Sequence, residues 1–398
     1  GFYDAIEKIL PAYKVKHLPC ACTACVKNLP KLLQEKYSGE KTLQLGLHNL
    51  ISSRTYMNKV KQYLNFEDFR AFVEKSSFDD INIISMLKIL DKTCFDRIRF
   101  ETPIYQKDKT IQCFGAISHH RPDFKEFRQR VIERFKPEEF TSFILLLPCS
   151  AKKPYSQSRS HRRFRGVLRK FPEFPTFQEI ILTSPLGAIP RQLEEVYPVN
   201  SYDISVTGFW SAEEIEIAGT MLSKILKKYD ASTPILCHLD GGYQEIAQYS
   251  QKKVEQELIN VDIQDHVTSK SSLESLEERV QEIVQSTDFK GKMAANEHFT
   301  KTRTRKFLKI LDYQFGPGSG EMIIQNPIQL RKNRRNEQIE ILDSLTDESL
   351  GTFKERTGFV SLTLAGAARL KPFTKESHVI VFEGNKIRGN TLFRPGIL

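Results

Sequence analysis

No apolar run in this 398-residue chain approaches the roughly 20 residues that a membrane-spanning helix requires, so the sequence predicts no membrane segment. The N-terminus, Gly1-Phe2-Tyr3-Asp4, lacks an initiator Met and the basic-then-apolar order of a secretory signal, which reads as a processed chain or a piece of a longer one. Cysteine is scarce. Seven are too few for a disulfide scaffold, and three of them crowd into six positions, which points to metal ligation in a reducing, cytoplasmic setting. Tryptophan occurs once, at Trp210. There is no Gly-x-x-x-x-Gly-Lys phosphate loop, no cysteine triad for an iron–sulfur cluster beyond the crowded set, no internal repeat and no low-complexity segment. What remains is 40% hydrophobic and 27% charged, a globular balance, in a length suited to two to four domains.

Charge is abundant but uneven. The chain carries 59 basic and 49 acidic residues, a net charge of +10. Between Ala151 and Phe171 lie eight bases, among them Lys152, Arg162 and Arg163, and no acid; between Lys290 and Lys309 lie seven, including Arg303 and Arg305, against Glu297 alone. Two basic patches on a mildly acidic body form a polyanion footprint, because neutralised phosphates release their counterions. Solvated helix faces are the plainer reading.

Apolar spacing predicts helices over Phe66–Lys75 and Phe124–Phe135, the second stopped by Pro137. Short apolar runs at Phe143–Leu147, Glu179–Thr183, Tyr202–Val206 and Pro234–Leu239 read as buried strands, with a helix over Ser211–Tyr229. That alternation predicts an open, mostly parallel α/β sheet. Ligands bind such sheets beyond the carboxyl ends of the strands. Cys149-Ser150, Ser184-Pro185-Leu186-Gly187, Thr207-Gly208 and Asp240-Gly241-Gly242 would meet on that rim. A polar amphipathic helix follows over Ser269–Gln285, and after Phe315-Gly-Pro-Gly-Ser-Gly320 alternating strands, including Gly358–Gly366 and Ser377–Gly384, read as a small β-barrel. The organisation expected is a zinc-bearing segment at 1–75, an α/β core at 76–268, a small linking α/β segment at 269–316 and a β domain at 317–398.

Cys20-Ala-Cys22-Thr-Ala-Cys25 followed by His48 offers three thiolates and an imidazole, a donor set suited to a closed, structural tetrahedral Zn2+. A second constellation starts at the end of a predicted strand: Pro148-Cys149-Ser150-Ala-Lys152-Lys153-Pro-Tyr155-Ser156-Gln-Ser158-Arg-Ser160-His161. A thiol there would sit on the ligand rim among cations that favour its thiolate; an inert core cysteine is the other reading. Arg191 reads as a substrate-anion contact or as a surface salt bridge. Asp203 and Asp240 read as substrate contacts or as turn-capping residues. Trp210 reads as core packing or as a base-stacking residue, and His119-His120 as structural.

The Cys-x-Cys-x-x-Cys loop with its later His resembles the zinc site of tRNA-guanine transglycosylases. Here the loop begins at residue 20, so most of such a barrel is not expected, nor its base-exchange chemistry. The string from Pro148 to His161 resembles the signature of archaeosine synthase. The resemblance continues through Ser184–Pro198, Tyr202–Trp210, Asp312-Tyr-Gln-Phe-Gly316 and a C-terminal stretch similar to PUA domains that includes Lys386, Arg388 and Gly396.

The resemblance implies a central α/β domain between the zinc-bearing remnant of a transglycosylase-like domain and a PUA-like β-barrel. It implies an enzyme of archaeal tRNA modification, acting on 7-cyano-7-deazaguanine in the D-loop. Free L-lysine would add its ε-amine to the nitrile without ATP, and a separate radical SAM partner would cleave the product. Cys149 would attack the nitrile, with Lys153 or His161 moving protons. Ser150, Ser156, Ser158, Ser160, Arg191, Asp203 and Asp240 would bind substrate, and Lys152, Arg162, Arg163, Arg303, Arg305, Gly366, Lys386 and Arg388 would contact RNA. In a second version a carboxylate positions lysine for direct attack. The competing class is a non-catalytic tRNA-binding subunit that presents tRNA to the radical partner. A homodimer is compatible with either.

Overall fold

The computed structural model describes residues 20–27, 39–66, 68–101, 110–204, 209–286, 302–333 and 337–374. It divides into two compact units, Gly1–Met86 and Leu87–Leu398. The sequence reading divides the chain instead at 75, 268 and 316.

The described residues of the first unit form α1 (Thr23–Lys27), α2 (Gly39–Asn65), α3 (Phe69–Ser76) and the start of α4 (Ile81–Thr93). Phe66, expected in a helix with Phe69, falls just past the end of α2 and is exposed; Phe72 is buried instead, against Tyr56, Tyr63 and Phe69.

The second unit continues with α5 (Phe95–Glu101), β1 (Ile111–Gln112), α6 (Pro122–Arg134), β2 (Phe143–Pro148), α7 (Arg159–Leu168), β3 (Phe177–Thr183) and β4 (Gly187–Pro190). After these come β5 (Tyr202–Asp203), α8 (Ala212–Leu226), β6 (Ile235–Cys237), α9 (Gly241–Gln251), β7 (Leu258–Asn260) and α10 (Lys270–Ser286). The chain then forms α11 (Thr302–Phe315), α12 (Ser319–Ile323), β8 (Ile328–Asn333), β9 (Gln338–Asp343), β10 (Ser349–Lys354), β11 (Phe359–Leu362) and α13 (Leu364–Thr374).

Five strands make the central sheet in the order β4-β3-β2-β6-β7, parallel except for the β4 edge. β2 lies at its centre and is buried along its whole length, which is why it reads as a continuous apolar run. Its residues alternate between two cores, as a strand's period of two requires. Ile144 and Leu146 pack with Phe124, Phe127 and Val131 of α6 and with α8; Phe143, Leu145 and Leu147 pack with Phe164, Val167 and Leu168 of α7 and Leu276, Val280 and Ile283 of α10. Helix α10, assigned in the sequence reading to a linking segment, thus closes one face of the central sheet.

The expected strand Tyr202–Val206 is shorter and elsewhere. Among the described residues only Tyr202 and Asp203 are extended, and they pair in parallel with Ile111 and Gln112 in a separate two-stranded sheet. Tyr202 turns its ring inward as part of a buried hydroxyl network, so its apolar character reports core packing and not sheet membership.

Toward the C-terminus, β11-β10-β9-β8 form an antiparallel meander. Asp312 holds the preceding glycine-rich turn by accepting from the Gly318 and Gly320 N–H groups at 3.0 and 2.9 Å. The expected strand Gly358–Gly366 ends at Leu362, because Thr363 turns the chain into α13: its hydroxyl accepts from the Gly366 N–H at 3.3 Å and donates to the Ser349 carbonyl. The strand expected at Ser377–Gly384 lies outside the described residues. Gly366 approaches β10 so closely that a Cβ would stand 2.0 Å from the Leu350 carbonyl oxygen. Gly366→Ala, which ordinarily stabilises a helix, is therefore expected to destabilise by about 2 kcal/mol through overpacking. Chemical denaturation of the variant checks the sign.

Candidate functional site

Cys149 follows the last residue of β2, and strand pairing brings Thr183 at the end of β3 and the start of α9 beside it. The half-buried thiol lies 3.1 Å from the Tyr243 hydroxyl. A run of hydroxyls continues inward: Thr183 Oγ1 meets the Tyr202 hydroxyl at 2.5 Å, and that hydroxyl meets Tyr155 at 2.7 Å. Burial pushes the Cys149 thiol up and outweighs the Tyr243 and Thr183 hydrogen bonds and the Lys153 charge that favour the thiolate. The sequence expectation of a cation-stabilised thiolate omits this burial. Lys153 donates to the Tyr202 carbonyl at 2.8 Å, with its ammonium 3.8 Å from that ring's centre; burial lowers its pKa.

The other predicted site residues take varied places. Ser158 is buried as the N-cap of α7 and accepts from the His161 N–H at 3.2 Å, with Ser160 3.2 Å away. The Ser156 N–H donates to Glu194 at 2.9 Å, and the Ser150 hydroxyl to the Lys152 carbonyl. Arg191 is occupied inside the protein: it pairs with Glu179 at 2.5 Å and Glu194 at 2.9 Å and donates to His161 Nδ1 at 2.7 Å. It is thus a buried ion pair rather than the surface salt bridge or free anion contact read from the sequence. Asp203 is exposed. Asp240 stands at the N-cap of α9 without a side-chain capping bond, which removes the turn-capping reading for that residue. It lines an open groove of about 490 Å³ beyond the ends of β6 and β7, with Gln244, Asn260, Asp262, Asp265 and Arg279.

His161 is fully buried, and burial together with the Arg191 cation pushes it down to about 2. His238, buried with Nε2 2.6 Å from the Val267 carbonyl, is brought down by burial to about 4. Both are neutral in the folded protein where the unfolded chain takes up protons below about pH 6.5. Stability is therefore lost as pH falls from about 6.5, with a slope near 1.4 kcal/mol per pH unit for each histidine, until the folded pKa is reached. Thermal denaturation from pH 7.5 to 5 checks this; His161→Gln should remove one proton from the slope.

The basic patches divide. Helix α7 buries His161, Phe164, Val167 and Leu168 and turns Arg159, Arg162 and Arg163 outward, with Lys152 exposed before it. Arg163 also donates to the Thr268 carbonyl at 3.1 Å. The described end of the second cluster faces inward instead. Arg305 donates to the Pro175 carbonyl at 2.8 Å and stands 4.4 Å from the centre of the Phe140 ring, Lys306 pairs with Glu195 at 2.5 Å, and Lys309 pairs with Glu138 at 3.1 Å. Arg305 is thereby a packing residue, and so is Gly366, for the close approach already described. The Arg303 side chain, Lys386 and Arg388 lie outside the described residues.

Several neighbours of the rim escaped the sequence reading. Tyr243 and Thr183 have no site role in that reading, since each is distant from Cys149 in the chain, and Tyr155 and Tyr202 stand within the motifs without one. Gly242 does carry a signal. A Cβ there would stand 2.1 Å from the Trp210 ring, and Trp210 meets the Tyr243 ring edge-on at 5.2 Å. His119 and His120, read as structural, pair with Glu214 at 3.3 Å and Glu213 at 2.7 Å. Glu214 also accepts from Ser184 at 2.5 Å and from the Ser211 N–H at 2.8 Å. Burial works against its charge, but these bonds and His119 hold it at about 2.

In the first unit, His48 Nδ1 lies 3.6, 3.5 and 3.2 Å from the sulfurs of Cys20, Cys22 and Cys25, and all four donor atoms fall within 4.8 Å of one another. Such spacings match a tetrahedron with metal bonds of about 2.0–2.3 Å, so the group could hold a metal ion such as zinc. Ser52 Oγ stands 3.3 Å from His48 Nε2 and orients the ring from behind. Burial opposes charge on Cys22, but the Cys25 N–H, His48 and the two other thiols bring it down to about 6.

An open α/β sheet with a cysteine on its carboxyl rim, a cationic helix and a separate Cys3His group defines a class: an α/β protein with a rim thiol and an accessory segment whose donor set could hold a metal ion. Residues 124–280 match a family described only as a domain of unknown function, and residues 305–376 match the patch-forming domain C2 of tRNA-guanine transglycosylase. The archaeosine synthase subunit alpha of Thermococcus kodakarensis is 36% identical over 78% of this chain and 51% of its own length. That of Methanosarcina acetivorans is 27% identical over 96% and 58%, and the archaeosine synthase of Haloferax volcanii 26% over 100% and 63%. A crystal structure of a protein of unknown function overlaps with a TM-score of 0.44, at 26% identity over 62% of this chain and 74% of that one. The chain is a relative of the archaeosine synthases, and it spans between half and two thirds of the length of the three just named. Among the described residues, no helix is long and apolar enough to cross a membrane.

Proposed function

We propose that this chain modifies archaeal tRNA on the route to archaeosine, joining the ε-amine of free L-lysine to the nitrile of 7-cyano-7-deazaguanine in the D-loop. The observation that carries the reading is the half-buried Cys149 thiol on the carboxyl rim of the central sheet, followed in the chain by the outward bases of α7. Sulfur adds to the nitrile carbon to give a thioimidate, and the lysine amine then displaces the sulfur, leaving an amidine. The addition is balanced without ATP. The groove beyond β6 and β7 suits a free amino acid: Arg279 would take its carboxylate, and Asp240 and Asp262 its α-amine. Asp240 and Cys149 follow the paired strands β6 and β2 at their carboxyl ends, which puts both residues on the same rim of the sheet.

RNA would lie along Lys152, Arg159, Arg162 and Arg163, so its affinity should fall steeply with salt. His161 would act by holding Arg191 and the base of α7, not by carrying protons, since it is neutral and its Nδ1 is engaged. Zinc fits Cys20, Cys22, Cys25 and His48 and would brace the loop that carries them. A PUA-like barrel would complete the β8–β11 sheet, and the word subunit in two relatives' names supports a partner protein, for which a radical SAM lyase is our candidate.

The test is incubation of the protein with L-lysine and tRNA bearing the cyano base, followed by nucleoside mass spectrometry. A mass gain of one lysine is expected. Tight tRNA binding without that gain would make the chain a docking subunit instead.

A further inference from the structure

We propose that Tyr243 is the proton relay of the Cys149 centre: its hydroxyl takes the sulfur's proton as the S–C bond forms and delivers its own proton to the nitrile nitrogen. The inference rests on the reading of Cys149 as the attacking group, and it answers a difficulty in that reading. Burial keeps the sulfur protonated at rest, so some group must accept the proton when sulfur attacks. His161 Nδ1 is already engaged by Arg191, and Lys153 donates to the Tyr202 carbonyl. The Tyr243 hydroxyl meets the sulfur directly, at 3.1 Å.

The fold fixes that contact. Tyr243 sits in the first turn of α9, where Gly242 has no side chain and Trp210 packs over the gap, edge-on to the tyrosine ring. Any side chain at residue 242 would drive into the indole. The Asp240-Gly241-Gly242-Tyr243 sequence thus has a purpose beyond starting a helix.

The step balances. A sulfur lone pair forms the S–C bond while one C–N π pair moves to nitrogen; nitrogen takes the phenolic proton, and the phenol oxygen takes the thiol proton. Tyr243 ends neutral, as its burial requires, because burial raises its pKa far above the usual tyrosine range. When the amine attacks the thioimidate carbon, the C–S bond breaks and the relay runs backward, returning a proton to sulfur while the amine nitrogen sheds one. Nitrile and amine become amidine, with nothing oxidised or reduced.

The test is Tyr243→Phe, which keeps the ring and removes only the oxygen. In the full chain, the rate of Cys149 alkylation by iodoacetamide is followed against pH, and single-turnover lysine transfer is measured alongside. The relay predicts that the alkylation midpoint moves to higher pH, because a hydrogen bond to the thiolate is lost. It also predicts that transfer slows about 10²-fold or more with lysine KM unchanged. Gly242→Ala, which displaces Trp210, should shift both in the same direction while Tyr243 keeps its hydroxyl. An unmoved alkylation profile, or transfer within threefold of the parent, overturns the relay. Absence of lysine transfer by the parent protein would sink the proposed reaction instead, and the alkylation profile would then decide the Tyr243–sulfur contact alone.

Discussion

Cys149→Ser should reduce lysine addition by roughly 10³-fold or more while leaving the protein folded. Oxygen replaces sulfur with little change of shape at a half-buried position on the rim, so neither core loses a contact it depends on. Chemistry changes far more. A serine hydroxyl is a much weaker nucleophile toward a nitrile carbon, and no described imidazole stands free to activate it, since His161 is committed to Arg191 and His238 to the Val267 carbonyl. tRNA affinity should be unchanged, because the outward bases of α7 are untouched. Single-turnover transfer, tRNA binding and melting temperature, measured on one preparation, separate these effects. Undiminished transfer would favour direct attack by lysine positioned by a carboxylate.

The second large effect lies beneath the site. Arg191→Met should destabilise the fold by about 3 kcal/mol, because the nearly buried Glu194 loses its cation and Glu179 keeps only Arg165, at 3.5 Å. Removal of a buried partner costs more than the pair contributes, since the orphaned charges stay desolvated. Glu194 also receives the Ser156 N–H, so the loop between Cys149 and α7 should loosen with it. Chemical denaturation reads the stability loss. If Arg191 instead bound substrate from the rim, the variant would keep its stability and lose only affinity.

The central sheet was legible because β2 is buried on both faces, and a strand in that position has to be apolar throughout. Helix α6 was legible from the spacing of Phe124, Phe127 and Val131, all of which reach zero exposure. The Cys3His group was legible because its ligands are rare residues and three of them are close in sequence. Tyr202–Val206 misled because Tyr202 is apolar for the sake of the core it packs into, not of a place in the central sheet. Arg191 and Arg305 misled because charge in a sequence does not say whether a carboxylate waits inside the fold. Tyr243 was invisible for the opposite reason: its partner lies 94 residues away, and only strand pairing brings α9 to the end of β2.

Intact-mass and peptide mapping after mixing the protein with cyano-bearing tRNA in the absence of lysine tests the central claim most directly. The account predicts a covalent adduct on the peptide containing Cys149, released as amidine-bearing tRNA when lysine is added. Lysine transfer at the parent rate with no adduct on that peptide, and an equal rate in Cys149→Ser, would contradict it.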